Sequence, residues 1–327
     1  MDPFFASRTR WSQRTALAGI GSAWLLAALA LPVLAGPAAS TSPADSGAAV
    51  IARSEDDRAV DEHRPLKADG HVVVKNVAGG IEVSGWDHDE VSITGTLGDG
   101  VDHLDVSGDA SQLTVEVKLP KNSHITGDTH LKLQVPAGAS VDLSSVSADI
   151  VATGLHAAVK ANTISGDVDF ELESPQISVQ TVSGDIILRS PSQNTTVNSV
   201  SGDLRMNGPR GDLSATTVSG NLELQGGGPF HQIKLKTISG DSRVDVSLTN
   251  DGRIVGESLS GDIDLSVPAT LMGVAELKSF SGEARCSSAV ATTSSDHGKA
   301  HEYVWGNGQG AHIDLSSFSG DIHVDRK

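Results

Sequence analysis

Six aspartates occupy one position of a repeated pentapeptide: Asp167, Asp185, Asp203, Asp241, Asp262 and Asp321 each follow a Ser-Gly pair. A carboxylate beside a glycine has two chemical uses. It can accept backbone N–H bonds and close a turn, or, stacked with its equivalents, it can offer oxygens to a hard cation such as calcium. Asp167, Asp185 and Asp203, spaced by 18 residues, are the calcium candidates. Carboxylates stacked about 5 Å apart repel by roughly 1 to 3 kcal/mol per pair at effective dielectrics between water and a protein surface. Calcium would offset that repulsion, and so would N–H bonds from the backbone. Asn221 and Glu283 stand at the same position. Asn keeps a turn bond but lacks the charge a cation wants. The calcium-binding β-roll repeats are nonapeptides with paired glycines, whereas these units are twice as long with one. The expectation is therefore turn chemistry, with no metal assigned.

The other chemistry-bearing residues do not assemble into a site. His297 and His301 lie four apart, but Gly298 and the Ser-Ser-Asp before them read as a solvated loop and not as a zinc-binding helix. Trp86 and Trp305 can stack on sugars or fill gaps at the ends of a regular core, and packing is the expectation. Cys286 is the one cysteine. It forms no intramolecular disulfide, and its alternation with Ala284 points it inward as a small hydrophobe. No catalytic serine–histidine–aspartate arrangement, phosphate loop or cofactor motif is assigned. A catalytic site is unique, whereas these acidic residues return in every unit, so the chain is read as a non-enzyme.

The elements that must position these residues follow from the period. The pentapeptide [Ser/Thr]-apolar-Ser-Gly-[Asp/Asn/Glu] has its central serine at Ser147 (with Ala148 in place of Gly), Ser165, Ser183, Ser201, Ser219, Ser239, Ser260, Ser281 and Ser319. The spacings are 18, 18, 18, 18, 20, 21, 21 and 38, the last about two periods with an insertion around Thr292 to Gly310. Either side of the pentapeptide, apolar residues alternate: Ile177, Val179 and Thr181 share a face, then Ile186 and Leu188. Such short alternations are half-buried strands, and one unit cannot bury its apolar face alone. The predicted fold is all-β: a right-handed parallel β-solenoid (β-helix) of about nine 18–21-residue coils, roughly 40 Å long at the inter-strand spacing. Degenerate capping regions are expected at about 66–141 and about 290–327, the latter with a hairpin through Gly306-Asn307-Gly308.

Residues 1–35 read as a secretory signal peptide: Arg8, Arg10 and Arg14, an uncharged stretch from Thr15 to Leu34, and Val33-Leu34-Ala35 before Gly36. An uncleaved anchor is the rival, since the stretch is long enough to span a bilayer. Residues 36–65 read as a flexible linker, and 66–327 as the repeat domain. The net charge of −17 argues against nucleic acid and against docking on anionic lipid. Only 3% of residues are aromatic, which suits a narrow, layered interior.

Three segments carry a family resemblance: Asn76-Val77-Ala78-Gly79-Gly80-Ile81-Glu82-Val83 leading to Gly85-Trp86-Asp87, the run of Val/Ile-Ser-Gly-Asp turns, and Gly306-Asn307-Gly308 leading to Ser317-Phe318-Ser319-Gly320-Asp321-Ile322. Together, over about Leu66 to Lys327, they resemble the bacterial envelope family called putative adhesin, or domain of unknown function 4097. The resemblance implies a β-solenoid with an adhesin-like or envelope role, and it transfers no catalytic residue. The expected function is a non-catalytic scaffold or binding module, exported to the periplasm or cell surface of a bacterium. Its partner would be an envelope protein or a glycan, with no stable membrane insertion after signal cleavage. The alternatives are a carbohydrate-active β-helix enzyme and an accessory component of an envelope stress-signalling pathway.

Overall fold

The computed structural model of the chain describes residues 58–121, 127–287, 291–294 and 300–327. The expected signal segment, most of the expected linker and His297 lie outside the described residues. Among the described residues there is no α-helix. The strands, in chain order, are β1 (Ala59–Pro65), β2 (His71–Lys75), β3 (Ala78–Trp86), β4 (Glu90–Thr96), β5 (His103–Gly108), β6 (Gln112–Lys118), β7 (Thr129–Pro136), β8 (Ser140–Ser144) and β9 (Ser147–Thr153). They continue with β10 (Val159–Asn162), β11 (Val168–Glu171), β12 (Gln176–Gln180), β13 (Ile186–Arg189), β14 (Asn194–Ser201), β15 (Leu204–Asn207), β16 (Gly211–Ser219), β17 (Leu222–Gln225) and β18 (Phe230–Ser239). The last are β19 (Ser242–Asp245), β20 (Leu248–Ser260), β21 (Ile263–Val267), β22 (Gly273–Ser281), β23 (Ala284–Cys286), β24 (Ala291–Ser294), β25 (Ala300–Trp305), β26 (Ala311–Ser319) and β27 (Ile322–Arg326).

Each repeat places one strand in each of two sheets. The first sheet has 13 strands in the order β1-β4-β7-β3-β9-β11-β13-β15-β17-β19-β21-β27-β23. The second has 14, in the order β24-β25-β22-β26-β20-β18-β16-β14-β12-β10-β8-β2-β6-β5. Pairing is parallel through the middle of both sheets and antiparallel only towards their ends.

The core is a set of columns that run through the repeats. In the second sheet Ile177, Thr195, Leu213, Ile233, Ile254 and Ile313 are successive register partners. In the first, Leu188, Met206, Leu224, Val244, Leu265 and Val324 are. All twelve side chains are buried. Val179, Ile186, Leu204, Leu222 and Ile263 are buried as the alternation requires, while Arg189 is exposed. β-branched and Leu side chains stacked at one strand spacing fill a narrow interior without large aromatics.

Three boundaries differ from the sequence expectation. β1 occupies the end of the expected linker and pairs antiparallel with β4. Its charged sequence, AVDEHRP, hid it, because the strand is mostly exposed and is held by register with its neighbour. The 290–327 region is not simply a terminal cap. Its β26 and β27 insert between β20/β21 and β22/β23. β25 pairs with β24 and β22, and β26 with β22 and β20, so the chain through Gly306 to Gly310 crosses over β22 and forms no hairpin there. At the other end β2/β3 inserts between β8/β9 and β6/β7 in the same manner. Side-chain size favours the C-terminal order. Ala275 and Ala284 point inward from β22 and β23, leaving room for buried Tyr303 and Trp305 of β25. Tyr303 donates its hydroxyl to the Ala284 carbonyl at 3.3 Å.

Candidate functional site

The pentapeptide forms the corner at which the chain passes from the second sheet to the first, and each of its positions makes a row along the molecule. The leading Ser or Thr is buried in every repeat. In the early repeats it closes the corner itself: Ala148 N–H donates to Ser145 Oγ at 2.6 Å and Gly166 N–H to Thr163 Oγ1 at 3.1 Å. From Gly184 to Gly261 the motif glycine N–H instead donates to a serine carbonyl one layer on, as Gly184 to Ser201 and Gly202 to Ser219, both at 3.1 Å. The hydroxyls of Thr181, Ser199, Thr217 and Thr237 then have no hydrogen-bond partner among the described residues. The glycine itself is dictated by stacking. A Cβ on Gly220 would be driven into the carbonyl of Gly202 in the layer beneath, and its φ of +152° disfavours side chains.

The aspartates form a continuous hydrogen-bonded ladder. Asp185 N–H donates to Asp167 Oδ1 at 2.8 Å, Asp203 N–H to Asp185 Oδ1 at 2.9 Å, and Asn221 N–H to Asp203 Oδ1 at 2.9 Å. The run continues through Asn221, Asp241, Asp262 and Asp321 and ends where Glu283 N–H meets Asp321 Oδ1 at 2.7 Å. Each side chain caps the next layer and not its own turn. The three calcium candidates thus spend one oxygen each on a backbone donor. Arg205 adds a cation between layers, 2.9 Å from Asp203 Oδ2 and 3.4 Å from Asp185 Oδ2. Among the described residues no group of three or more His, Cys, Asp or Glu side chains is set to hold a metal ion.

The remaining candidates stay apart. Trp305 is buried in the C-terminal core under the Arg326 guanidinium, 5.3 Å from the ring centre. Trp86 is half-buried, donates to the Glu90 carbonyl at 2.8 Å and meets His88 edge-on. Cys286 packs partly against the core, and burial pushes its thiol up to about 11. Ser287, Asp325 and His323 do meet. A hydrogen bond from Ser287, then His323 at 3.1 Å, hold the Asp325 carboxyl below its ordinary value. The aspartate lies between the other two, however, and activating a serine requires the histidine there.

One row escaped the sequence reading. The apolar residue of the pentapeptide is exposed in every repeat, from Val146 through Val182 and Val200 to Phe318 and Phe280, each between 37% and 56%. Phe280 and Phe318 stack face to face with centroids 4.9 Å apart. The signal was in the alternation: with Thr181 inward, Val182 must point out.

A family model described as Toastrack DUF4097 matches residues 48–258, well over half of the chain. The chain belongs to the Toastrack DUF4097 family. The two long, mostly parallel sheets above are its Toastrack repeat fold here, and they extend beyond the matched residues to β27. Similar solved structures include a putative adhesin from Bacteroides fragilis, 13% identical over 83% of this chain and 97% of that one, with a TM-score of 0.40. A putative adhesin from Parabacteroides distasonis is 9% identical over 81% and 97%, with a TM-score of 0.47. A putative lipid binding protein from the same organism is 11% identical over 82% and 96%, with a TM-score of 0.41. No curated protein matches the chain.

Proposed function

We propose that this Toastrack chain is an exported, non-catalytic binding module of the bacterial envelope that holds glycan on the outer face of its second sheet. The observation that carries the reading is the chemistry of that face. Its middle presents amides and hydroxyls in register, among them Gln176, Ser178, Asn194, Thr196, Ser214 and Gln232, with Asp212 and Lys234 as the charged members of the same two rows. Beside them runs a groove of about 440 Å³ that reaches His71 and Lys160. Paired donors and acceptors at a fixed strand spacing match a polymer of hydroxylated rings, and uncharged groups are desolvated at lower cost than ions. The outer face of the first sheet carries ion pairs from layer to layer, such as Arg189–Asp169 and Arg243–Asp264.

A non-catalytic role is supported by the hydrogen bonds already made by the ladder aspartates and by the order of Ser287, Asp325 and His323. Export rests on the arginine-rich start and the uncharged stretch that follows. The coil is taken as right-handed, about nine motif-bearing turns long, because parallel crossovers in one sheet are right-handed in nearly all cases. Co-sedimentation with isolated cell-wall glycan tests the reading. The chain is expected in the pellet, and Thr196→Glu, an exposed change, is expected to weaken binding at least about tenfold. A chain that stays in the supernatant, or a variant that binds equally well, would overturn the glycan face.

A further inference from the structure

The exposed apolar row is a feature that the glycan reading leaves unused. Single exposed apolar side chains are ordinary, but contiguous patches of several hundred Å² mark interaction sites. Here nine repeats each contribute one side chain to the row, which at the inter-strand spacing runs for roughly 40 Å. The exposed part of these side chains amounts to on the order of 800 Å², about what one partner contributes to a stable interface of standard size. On one side the row is bordered by the exposed motif serines and then the aspartate ladder. On the other lie the outward residues two positions earlier: Asn162, Gln180, Asn198, Thr216, Lys236 and Lys278 carry no negative charge. Glu257, the one acid of that border, is held by Lys236 at 3.3 Å.

We propose that this row is a self-association surface, on which a second copy of the chain packs apolar row against apolar row with both copies running in the same direction. Identical spacing makes the row self-complementary at every layer, as a two-fold interface requires. The borders choose the direction. A two-fold axis along the row sets the aspartate ladder of one copy against the amide and lysine border of the other: Asp185 faces Gln180, Asp203 faces Asn198, and Asp241 faces Lys236. An axis across the row sets aspartate against aspartate in a chain whose net charge is already −17. Like charges placed opposite each other exclude that arrangement. A lipid surface fits less well, because the row is one side chain wide and is flanked by carboxylates.

Sedimentation of the purified full chain tests the pairing, and cysteine cross-linking tests its direction. The chain is expected to dimerise at micromolar concentration. Val200→Lys, which buries a charge at the interface, is expected to raise the dissociation constant at least about 100-fold. Val200→Thr, which keeps the β-branched shape, is expected to raise it about tenfold and guards against a folding defect in the lysine variant. In a Cys286→Ser background, Ile164→Cys, Val200→Cys and Leu259→Cys are each expected to cross-link to themselves. Self-cross-linking at only one of these heights would overturn the common direction. A monomer at 100-fold higher concentration (roughly 0.1 mM), or a dimer indifferent to both Val200 changes, would overturn the surface itself. So would a monomer that binds neutral phosphatidylcholine vesicles in a Val200-dependent way, since lipid would then be the occupant.

Discussion

The two corners of each repeat obey different rules. Across the pentapeptide corner, from an inward residue of the second sheet to its counterpart in the first, the count never changes: Ile177 to Ile186, Leu213 to Leu222, Ile233 to Ser242 and Ile254 to Ile263 are each nine positions. Across the opposite corner the count drifts. It is nine from Leu204 to Leu213, eleven from Leu222 to Ile233 and twelve from Ser242 to Ile254. The extra residues enter between Gly228 and Gln232 and before Arg253, where the register between β16, β18 and β20 shifts. The constant corner has a glycine pressed on the carbonyl below and an aspartate bonded to the layer above, so neither can move along the chain alone. Among the described residues the opposite corner carries no such ladder. Register in this fold is therefore set along one edge, and length variation is absorbed along the other.

The largest effect expected from this difference is that of an insertion. One alanine placed between Gly220 and Asn221 turns every inward residue of β17 outward and breaks the ladder on both sides, so the chain is expected not to fold. Gly-Ser placed between Gly227 and Gly228 lengthens a loop that already varies, at a cost of about 1 kcal/mol or less. Urea unfolding of the two variants measures the contrast. Equal losses would mean that the corners are equivalent.

Substituting the glycines sharpens the same contrast at a smaller scale. Gly220→Ala meets the Gly202 backbone and a φ of +152°, and is expected to cost about 3 kcal/mol. Gly228→Ala meets only the flexible Arg210 side chain, at 3.2 Å, and is expected to cost under about 1 kcal/mol. Ala148 shows when the corner accepts a methyl group: the residue beneath it is Gly79 of β3, whose φ of +106° sets a different backbone path.

The constant corner is also what made the fold legible. Nine copies of a pentapeptide at a regular period announce stacked strands, and alternation then assigns Leu188 inward and Arg189 outward without reference to any neighbour. What the period cannot encode is which layer stacks on which. β26 carries the same pentapeptide as β20 and β22, and any of the three could follow another by motif alone. The order is decided by volume, as where Gly256 of β20 leaves space for Leu315 of β26, and by the aromatic end that Ala275 and Ala284 admit. β1 was hidden for a related reason, since an exposed strand held by pairing has no apolar period to reveal it. At the candidate site the aspartates were legible as acceptors for backbone N–H groups, but the layer that supplies the donor was not. The bond runs to the next layer, and only the stack brings that N–H within reach.

The smallest expected effects concern the charge of the ladder. If each aspartate serves as an acceptor for the N–H above it, an amide oxygen serves nearly as well, as Asn221 already does for Asp241 at 3.0 Å. Asp203→Asn is then expected to change stability by about 0.5 kcal/mol or less, whereas Asp203→Ala strands the Asn221 N–H and costs about 1–2 kcal/mol. At the opposite corner Asp245 forms only an exposed pair with Lys327 at 3.1 Å, and Asp245→Ala is expected to cost under about 0.5 kcal/mol. A cation site would reverse this order, because the charge and not the acceptor would matter, and Asp203→Asn would then be nearly as harmful as Asp203→Ala. Millimolar calcium followed by chelator separates the two roles. With Oδ1 of each aspartate already bonded and Arg205 between Asp185 and Asp203, calcium is expected to move the melting temperature by less than about 2 °C. A rise of many degrees that disappears in Asp185→Asn and Asp203→Asn would show that the constant edge is held by metal, and that the N–H ladder is the lesser of its two supports.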